Sequence, residues 1–152
     1  MTNLKSEFNI DFFIETGTFY GNSSAWASNE FDTVKTIELS YELYSNVQHK
    51  FSHIGNIEVI KGKSQERLPD IIQDLDSSAM VWLDAHFSGE GTAGGNYECP
   101  LLEEIEAVGE SNVDKYMFID DARLFYSPPP RPHSAEDWPS ISYVILKLKN
   151  EL

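Results

Sequence analysis

Residues 12–23 read Phe-Phe-Ile-Glu-Thr-Gly-Thr-Phe-Tyr-Gly-Asn-Ser, an apolar run that passes directly into a turn with two glycines. The apolar run is typical of a β-strand, and Asn22 or Ser23 is a suitable N-cap for a helix that follows. Gly17 would let the chain turn sharply and bring a ligand against bare backbone, while Gly21 would let the helix pack closely on the sheet. Such turns are also often only structural, so this turn alone does not decide between the two interpretations.

Apolar runs and amphipathic segments alternate along the rest of the chain in the same way. The predicted strands are Phe12–Ile14, Val34–Ile37, Ile57–Ile60, Ala79–Leu83 and Tyr116–Ile119. The predicted helices run from Asn22 to Phe31, Tyr41 to Phe51, Ser64 to Leu75, Pro100 to Val108 and Pro139 to Leu152. Because strands and helices alternate, we expect right-handed crossovers and an α/β fold, a doubly wound sheet of five parallel strands with helices on both faces.

The chain has 152 residues, of which 41% are hydrophobic, and a formal net charge of −14 from 25 acidic residues and 11 lysines and arginines. This length predicts one domain over residues 1–152 with a substantial core, and the hydrophobic content excludes intrinsic disorder. Strong negative charge repels phosphate backbones and anionic lipids, so neither nucleic acid nor a membrane is an expected partner. Cys99 is the only cysteine, which excludes a disulfide framework. No apolar run is long enough to span a membrane, and a soluble, cytoplasmic protein is expected.

Acidic residues follow the predicted strands at the points where the strands end. The five positions are Glu15, Glu38, Asp84, Asp120 and Asp121. In open parallel sheets, ligands bind beyond the carboxyl ends of the strands. A single acid at such a position is unremarkable, but five at one edge of the sheet predict a binding site.

The turns after the first three strands predict a pocket for a nucleoside. Glu38 lies 21 residues after Gly17, near the offset of the ribose-binding acid in dinucleotide-binding folds, although a solvated strand end is an alternative. Ser64 follows the third strand, where its hydroxyl would bond to an adenine edge, cap the next helix, or do both. The first turn lacks the Gly-x-Gly-x-x-Gly spacing that holds a pyrophosphate, and no Lys-Ser or Lys-Thr pair follows it. These features exclude a P-loop and disfavour a nicotinamide dinucleotide.

Residues 13–23 resemble motif I of class I S-adenosylmethionine-dependent methyltransferases, which have a Rossmann-like sheet. Thr-Ile-Glu at 36–38 is similar to the second-strand acid of these enzymes, and Trp-Leu-Asp-Ala-His at 82–86 to their fourth-strand motif. Ile-Asp-Asp at 119–121 resembles the fifth-strand pair of metal-dependent O-methyltransferases, such as the catechol and macrolide-sugar enzymes. The resemblance covers about residues 12–126 and implies transfer of a methyl group to a hydroxyl of a small molecule.

The resemblance also implies a role for each matching position. Glu15 would lie near the methionine amino group of S-adenosylmethionine, and Glu38 would bind its ribose hydroxyls. The implied cofactor-binding residues are Glu15, Thr16, Gly17, Thr18, Phe19, Gly21, Ser23, Glu38, Leu39, Ser64, Gln65 and Asp84. The implied ligands of a divalent cation are Asp84, Asp120 and Asp121. The expected cation is Mg²⁺.

Chemistry explains why these acids would be useful. A bound Mg²⁺ would lower the pKa of a substrate hydroxyl and fix its position, whereas nearby carboxylates without a cation would raise one another's pKa. Asp121 has an alternative role as a cap of the following turn, which would leave only Asp84 and Asp120 facing the site. His86 and Asp84 are the implied catalytic residues. His86 would take the substrate proton, but a further metal ligand or a loop residue is also compatible with its position.

The two ends of the chain and one loop depart from the family pattern. No helix is expected before the first strand, which begins near Asp11, and the 31 residues after Asp121 leave no room for the usual C-terminal antiparallel strand pair. Tyr116–Ile119 would then be an apolar edge strand that a second copy of the chain covers, unless the chain is a reduced form of the fold. Residues 87–97 are compatible with a lid or with a disordered insertion, and the five glutamates of residues 98–110 predict a solvated helix face.

The leading hypothesis is an S-adenosylmethionine-dependent O-methyltransferase that acts on a small hydroxylated molecule with the help of Mg²⁺. The missing strands favour an alternative, a non-catalytic nucleoside-binding or interaction module derived from the same fold. Binding of substrate that depends on a metal favours the enzyme, and cofactor binding without a metal response favours the module.

Overall fold

A computed structural model describes residues 2–86, 97–110, 112–127, 130–131 and 134–151. In chain order the strands are β1 (Phe12–Thr16), β2 (Thr33–Glu38), β3 (Ile57–Lys61), β4 (Ala79–Leu83) and β5 (Lys115–Ile119). The helices are α1 (Thr2–Phe8), α2 (Asn22–Ala27), α3 (Tyr41–Lys50), α4 (Ser64–Gln73), α5 (Leu101–Gly109) and α6 (Ile141–Glu151). Two short 3₁₀ turns, Ala122–Phe125 and Ala135–Asp137, lie between β5 and α6. No helix in these ranges combines the length and the apolar character that crossing a lipid bilayer requires.

The strands form one parallel sheet in the order β3-β2-β1-β4-β5, with β1 at its centre. The chain passes outward from β1 to β2 and β3, and then returns to build β4 and β5 on the other side of β1. This reversal places a crevice at the carboxyl ends of β1 and β4, where ligands bind in open α/β sheets. The prediction of a doubly wound, five-stranded α/β fold is confirmed, and the described ranges contain no antiparallel strand pair.

Buried clusters lie on both faces of the sheet, because neighbouring residues of each strand point to opposite sides. On one face, Ile14 and Val81 pack with residues of α4, α5 and α6, among them Leu68, Ile105 and Val144. The cluster on the other face consists of Ile10, Phe13, Ala27, Phe31, Val34 and Met80. Together the two clusters hold the carboxyl ends of the strands side by side.

The edge strand β5 was predicted at this position, and no strand in the described part of the chain covers its outer side. The helix α1, which the sequence did not lead us to expect, packs beside it, since the ring of Phe8 lies 4.9 Å from that of Tyr116. Coverage of this edge by a second copy of the chain stays a prediction. Residues 87–96, for which a lid or a disordered insertion was expected, lie outside the described residues.

The helix α2 is shorter than predicted and has a different cap. The helix ends at Ala27 and does not reach Phe31, its predicted end. The ring of Phe31 packs in the core. The N-cap of α2 is Gly21, which has a φ of 71°. The predicted caps, Asn22 and Ser23, lie within the helix itself. A Cβ at this glycine would lie 2.5 Å from the ring of Phe51, so the glycine permits close packing on the end of α3 rather than on the sheet.

Candidate functional site

A pocket of about 580 Å³ opens at the carboxyl ends of the strands. Segments that follow all five strands form its walls: Gly17, Phe19, Ile37, Glu38, Leu39, Leu43, Gly62, Lys63, Ser64, Gln65, Asp84, Ala85, His86, Tyr97, Pro100, Asp120 and Asp121. This lining includes every predicted site residue except Glu15, Thr16, Thr18, Gly21 and Ser23. Four of the five predicted strand-end acids, Glu38, Asp84, Asp120 and Asp121, line this pocket, whereas Glu15 does not. The role of each residue toward a ligand stays a prediction.

The turn after β1 packs directly against the ends of its two neighbouring strands. Gly17 has a φ of 84°, and a Cβ there would lie 2.3 Å from the carbonyl oxygen of Asp84 at the end of β4. The backbone N–H groups of Gly17 and Thr18 donate to the carbonyl oxygen of Ile37, at 3.0 and 3.2 Å. Phe19 also has a positive φ, 49°, and its half-exposed side chain lines the pocket. Both conformation and space therefore require glycine at position 17, and the turn is fixed at the pocket wall.

Glu38 links two turns of the pocket. Its side chain is 5% exposed, so the alternative of a solvated strand-end acid is wrong. Its Oε2 accepts from the backbone N–H of Phe19 at 2.9 Å, and its Oε1 accepts from that of Ser40 at 2.7 Å. Each carboxylate oxygen can accept a second hydrogen bond, so both remain able to bind ligand hydroxyls. The Glu38 carboxylate therefore holds two turns of the pocket wall together and also faces the pocket.

Glu15 lies beneath the first turn and not in the pocket lining. Its carboxylate accepts hydrogen bonds from the hydroxyls of Ser23 and Ser24 in α2, and from Thr36 in β2 at 2.8 Å. Burial raises the pKa of Glu15 most strongly, and the three hydroxyl donors oppose that shift. The hydroxyls of Thr36 and Thr18 are also hydrogen-bonded, at 2.6 Å. This network fastens the turn and the start of α2 to the sheet.

His86 lies between two carboxylates at the pocket wall. Its Nδ1 is 3.4 Å from Oδ1 of Asp84, and its Nε2 is 3.2 Å from Oδ2 of Asp121. Arg123 donates to the other carboxylate oxygen of Asp121 at 2.8 Å, and the ring of Trp138 meets the imidazole edge-on at 5.3 Å between centroids. Strand-end acids therefore hold the imidazole at both of its nitrogens.

The predicted metal site does not form in this arrangement. In the ranges that the structure describes, no group of three or more His, Cys, Asp or Glu side chains could hold a metal ion. Asp84 and Asp121 contact His86, while Oδ1 of Asp120 accepts from the backbone N–H of Asp121 at 2.7 Å. These residues therefore do not fit a divalent cation. The alternative position of Asp121 is confirmed, since it is the N-cap residue of the 3₁₀ turn Ala122–Phe125, but its side chain makes no capping bond to that turn.

The acids do perturb one another, as their positions in the sequence predict. The pKa of Asp84 is raised to about 7, first by burial and then by the charges of Asp120, Glu15 and Asp121. Near neutral pH a substantial fraction of Asp84 is therefore protonated, and the negative charge of the pocket increases as the pH rises.

The turn after β3 supplies the wall opposite the first turn. Lys63 is the N-cap of α4, so the prediction of Ser64 as the cap is wrong by one residue. Ser64 is buried at the first position of the helix and lines the pocket. Gly62 has a φ of 151°, and its missing side chain leaves room for Arg67, which donates to the carbonyl oxygen of Lys61 at 3.1 Å.

Sequence reasoning missed seven lining residues: Ile37, Leu43, Gly62, Lys63, Ala85, Tyr97 and Pro100. Three of them, Ile37, Lys63 and Ala85, directly adjoin predicted residues, and a glycine placed just after a strand is a signal that was available for Gly62. Leu43 comes from the first turn of α3, and Tyr97 and Pro100 precede α5. These three belong to no motif, and only the folded chain brings them to the pocket.

One glutamate contradicts the prediction of a solvated face over residues 98–110. Glu104 is 2% exposed, whereas the two other glutamates of α5 are exposed. Burial raises the pKa of Glu104 to about 7, although hydrogen bonds from Ser64 and Thr16 lower it. A buried acid therefore lies directly below the pocket.

No protein-family model and no curated protein sequence matches this chain. Solved structures are similar over most of its length. The precorrin-6y C5,15-methyltransferase of Geobacter metallireducens GS-15 has a TM-score of 0.60 at 14% identity, over 96% of this chain and 65% of that one. The 23S rRNA methyltransferase ErmE has a TM-score of 0.55 at 12% identity, over 82% of this chain and 46% of that one. Fibrillarin of Aeropyrum pernix, solved with S-adenosyl-L-methionine, has a TM-score of 0.57 at 12% identity, over 93% and 56%.

These similarities show the fold, a Rossmann-like parallel sheet that this chain shares with two methyltransferases and a fibrillarin. The chain spans between about half and two thirds of the length of each of the three proteins. One is named for a precorrin and another for ribosomal RNA, so the fold does not decide between small molecules and nucleic acids.

Proposed function

We propose that this chain binds S-adenosylmethionine in the pocket and transfers its methyl group to a hydroxyl of a small molecule. The observation that carries the proposal is that the predicted nucleoside-binding groups converge on one pocket. The bare backbone turn at Gly17, the buried carboxylate of Glu38, and the polar side chains of Ser64 and Gln65 line one pocket of about 580 Å³. Pockets of this size accommodate ligands as large as a nucleoside with an amino-acid extension.

The pocket offers a partner for each part of that ligand. Glu38 would accept from the two ribose hydroxyls with the lone pairs that its backbone donors leave free. Ser64 and Gln65 would meet the adenine edge, and the backbone of the turn at Gly17 and Phe19 would lie against the methionine portion. The supporting residues below the turn are Glu15, Thr16, Thr18, Gly21 and Ser23.

Charge favours a cationic ligand at this site. The lining contains four carboxylates, and in the described ranges its basic residues are Lys63 and His86 alone. Burial first, and then the neighbouring acids, raise the pKa of Asp84 to about 7, and a sulfonium beside Asp84 would offset both effects by favouring the ionised carboxylate. Binding of S-adenosylmethionine should therefore lower the pKa of Asp84.

The reaction needs a group that accepts the proton of the attacking hydroxyl. When bound, S-adenosylmethionine supplies a methyl group on a sulfonium, which an oxygen lone pair attacks in line while the carbon–sulfur pair leaves with sulfur. His86 would accept the hydroxyl proton, because Asp121 holds its Nε2 while the longer contact at Nδ1 can open toward a substrate. Asp84 would then stabilise the imidazolium that forms. No step in this scheme involves a metal.

The net charge of −14 supports a small acceptor rather than a nucleic acid. A polyanion would approach a surface and a pocket of the same sign, whereas a neutral hydroxylated molecule would meet no such barrier. We therefore propose a small uncharged or cationic acceptor.

Isothermal titration calorimetry of the full chain with S-adenosylmethionine, S-adenosylhomocysteine and NAD⁺ tests the proposal. We expect both sulfur nucleosides to bind more tightly than NAD⁺, because the first turn lacks a diphosphate site. Absence of binding by both nucleosides would refute the proposed function. Binding without methyl transfer to any of a panel of hydroxylated molecules would favour the non-catalytic nucleoside-binding module.

A further inference from the structure

Glu104 occupies a position that a helix on a sheet normally gives to an apolar side chain. Leu101, Ile105 and Val108 of α5 are buried at helical spacing, and Glu104 belongs to the same stripe. A buried carboxyl group destabilises a protein unless polar partners meet it. Its presence indicates a function that an apolar residue would not fulfil.

The carboxyl group of Glu104 meets hydroxyls from two segments of the pocket. The hydroxyls of Ser64, at the start of α4, and of Thr16, at the end of β1, lie close enough to this carboxyl group to lower its pKa. Ser64 lines the pocket, and Thr16 directly precedes the turn at Gly17. In addition, Oγ1 of Thr16 accepts from the backbone N–H of Asp84 at 3.1 Å. The Glu104 side chain of α5 thus lies next to residues at the end of β1 and at the start of α4, and Thr16 links the first of these to the end of β4.

The other surroundings of Glu104 favour a neutral acid. Its Oε1 has no hydrogen-bond partner in the described ranges, although it is buried. Glu104 also lines a cavity of about 10 Å³ with Cys99, His86 and Asp120, and Glu103 is the neighbouring charge on its own helix. A protonated carboxyl group presents both a donor and an acceptor, and it avoids a further buried charge beside these acids.

We propose that Glu104 is a positioning residue of the nucleoside pocket, which holds Thr16 and Ser64 so that the turns after β1 and β3 present their polar groups to the ligand. The inference rests on the proposed function, because affinity for the nucleoside is its measure. A residue that only packs the core changes stability, whereas a positioning residue changes affinity even where stability is retained.

Three variants of the full chain separate these roles. Glu104→Met fills a similar volume without hydrogen bonds, Glu104→Gln keeps a donor and an acceptor, and Glu110→Gln makes the same change at the exposed end of α5. Calorimetry measures the affinity for S-adenosylhomocysteine, and thermal unfolding measures the Tm. We expect Glu104→Met to bind at least about tenfold more weakly with only a small change in Tm, because removal of a costly buried acid offsets the loss of a partner for the neighbouring hydroxyls. Glu104→Gln and Glu110→Gln should remain within about threefold of the wild type.

The outcomes distinguish this inference from the proposed function. Wild-type affinity in a folded Glu104→Met variant overturns the positioning role. If Glu104→Met does not fold, Thr16→Val is the second test. It removes the hydroxyl between Glu104 and Asp84, and Thr16 does not itself line the pocket. Weakened binding by Thr16→Val then supports the inference, and unchanged binding overturns it. If the wild-type chain itself does not bind S-adenosylhomocysteine, the proposed function fails regardless of Glu104.

Discussion

Two glutamates at strand ends and one in helix α5 are buried, and each is accommodated differently. Glu38 accepts from two backbone N–H groups, and Glu15 accepts from three hydroxyls. Glu104 meets two hydroxyls and leaves one oxygen unpaired in the described ranges. Because a buried acid is costly without such partners, these residues are built into the fold and are not incidental strand-end charges.

Glu38→Ala tests the residue on which the nucleoside pocket most depends. The substitution removes the acceptor for the ribose hydroxyls and leaves the N–H groups of Phe19 and Ser40 without their carboxylate partner. We expect the affinity for S-adenosylhomocysteine in calorimetry to fall roughly 10²-fold, about 3 kcal/mol, as for the loss of hydrogen bonds to a charged group.

Glu58→Ala is the matched control, since Glu58 is an exposed acid on the adjacent strand β3. Its loss removes one surface ion pair with Lys35 and should leave the affinity unchanged. Equal affinities of the two variants would show that the carboxylate at the end of β2 does not hold the ligand.

The protonation of Glu104 should appear in the pH dependence of stability. Its pKa is raised from 4.5 to about 7, so the folded chain keeps a proton that the unfolded chain releases between these values. The resulting stabilisation is complete below about pH 4.5 and is lost as the pH rises to about 7, a change on the order of 3 kcal/mol. In urea denaturation, Glu104→Gln should therefore lose less stability than the wild type between about pH 5 and pH 8. Asp84 titrates in both proteins and cancels in the difference. Parallel declines would contradict a buried neutral Glu104.

At the scale of elements, the turn between β1 and α2 tolerates no side chain at its first glycine. Gly17→Ala would place a Cβ 2.3 Å from a backbone oxygen at a φ of 84°. We expect a loss of at least about 2 kcal/mol in the free energy of unfolding, together with loss of nucleoside binding. Gly55→Ala is the control, because no atom lies within 4 Å of the added carbon. Comparable stability of the two variants would contradict the close packing of the turn on β4.

All five strands could be predicted from the sequence because each is a short apolar run that ends at a polar residue. The failures lie where tertiary packing overrides local pattern. Helix α1 is short and polar, and it is held by contacts such as that of Phe8 with Tyr116. The cap of α2 was assigned to Asn22 or Ser23 from residue preference, whereas Gly21 takes the left-handed conformation and Ser23 donates to Glu15.

The candidate site could be predicted wherever a residue adjoins a strand end. Glu38 and Asp84 lie in the pocket for this reason. Glu104 was missed because five acids in one segment suggest a solvated face, although its spacing from Leu101 and Val108 places it in the buried stripe. The structure does not support the metal interpretation, which depends on side-chain direction, because His86 lies between two of the three aspartates and the sequence does not show this.

For the whole molecule, the excess of acidic groups should distinguish the two sulfur nucleosides. S-adenosylmethionine carries an additional positive charge on sulfur, while both share the same adenosine and amino-acid groups. With a net charge of −14 and four carboxylates in the pocket, we expect affinity for S-adenosylmethionine to fall more steeply with salt than affinity for S-adenosylhomocysteine. Calorimetry at about 50 mM and about 500 mM NaCl measures the two slopes, and the expected difference is a few-fold. Identical slopes would indicate that the acids do not act on the sulfonium.

The arrangement of acids and His86 also predicts how the molecule responds to metal removal. A divalent cation needs carboxylate oxygens that converge on an empty point, but Asp84 and Asp121 approach the two nitrogens of His86 at 3.4 and 3.2 Å. Binding Mg²⁺ would require these contacts to break, with imidazole and metal competing for the same oxygens. We therefore expect methyl transfer and S-adenosylhomocysteine affinity in excess EDTA to stay within about twofold of their values in Mg²⁺. Activity that disappears in EDTA and returns with Mg²⁺ or Mn²⁺ would show that the aspartates leave His86 during the reaction, and would restore the metal-assisted mechanism.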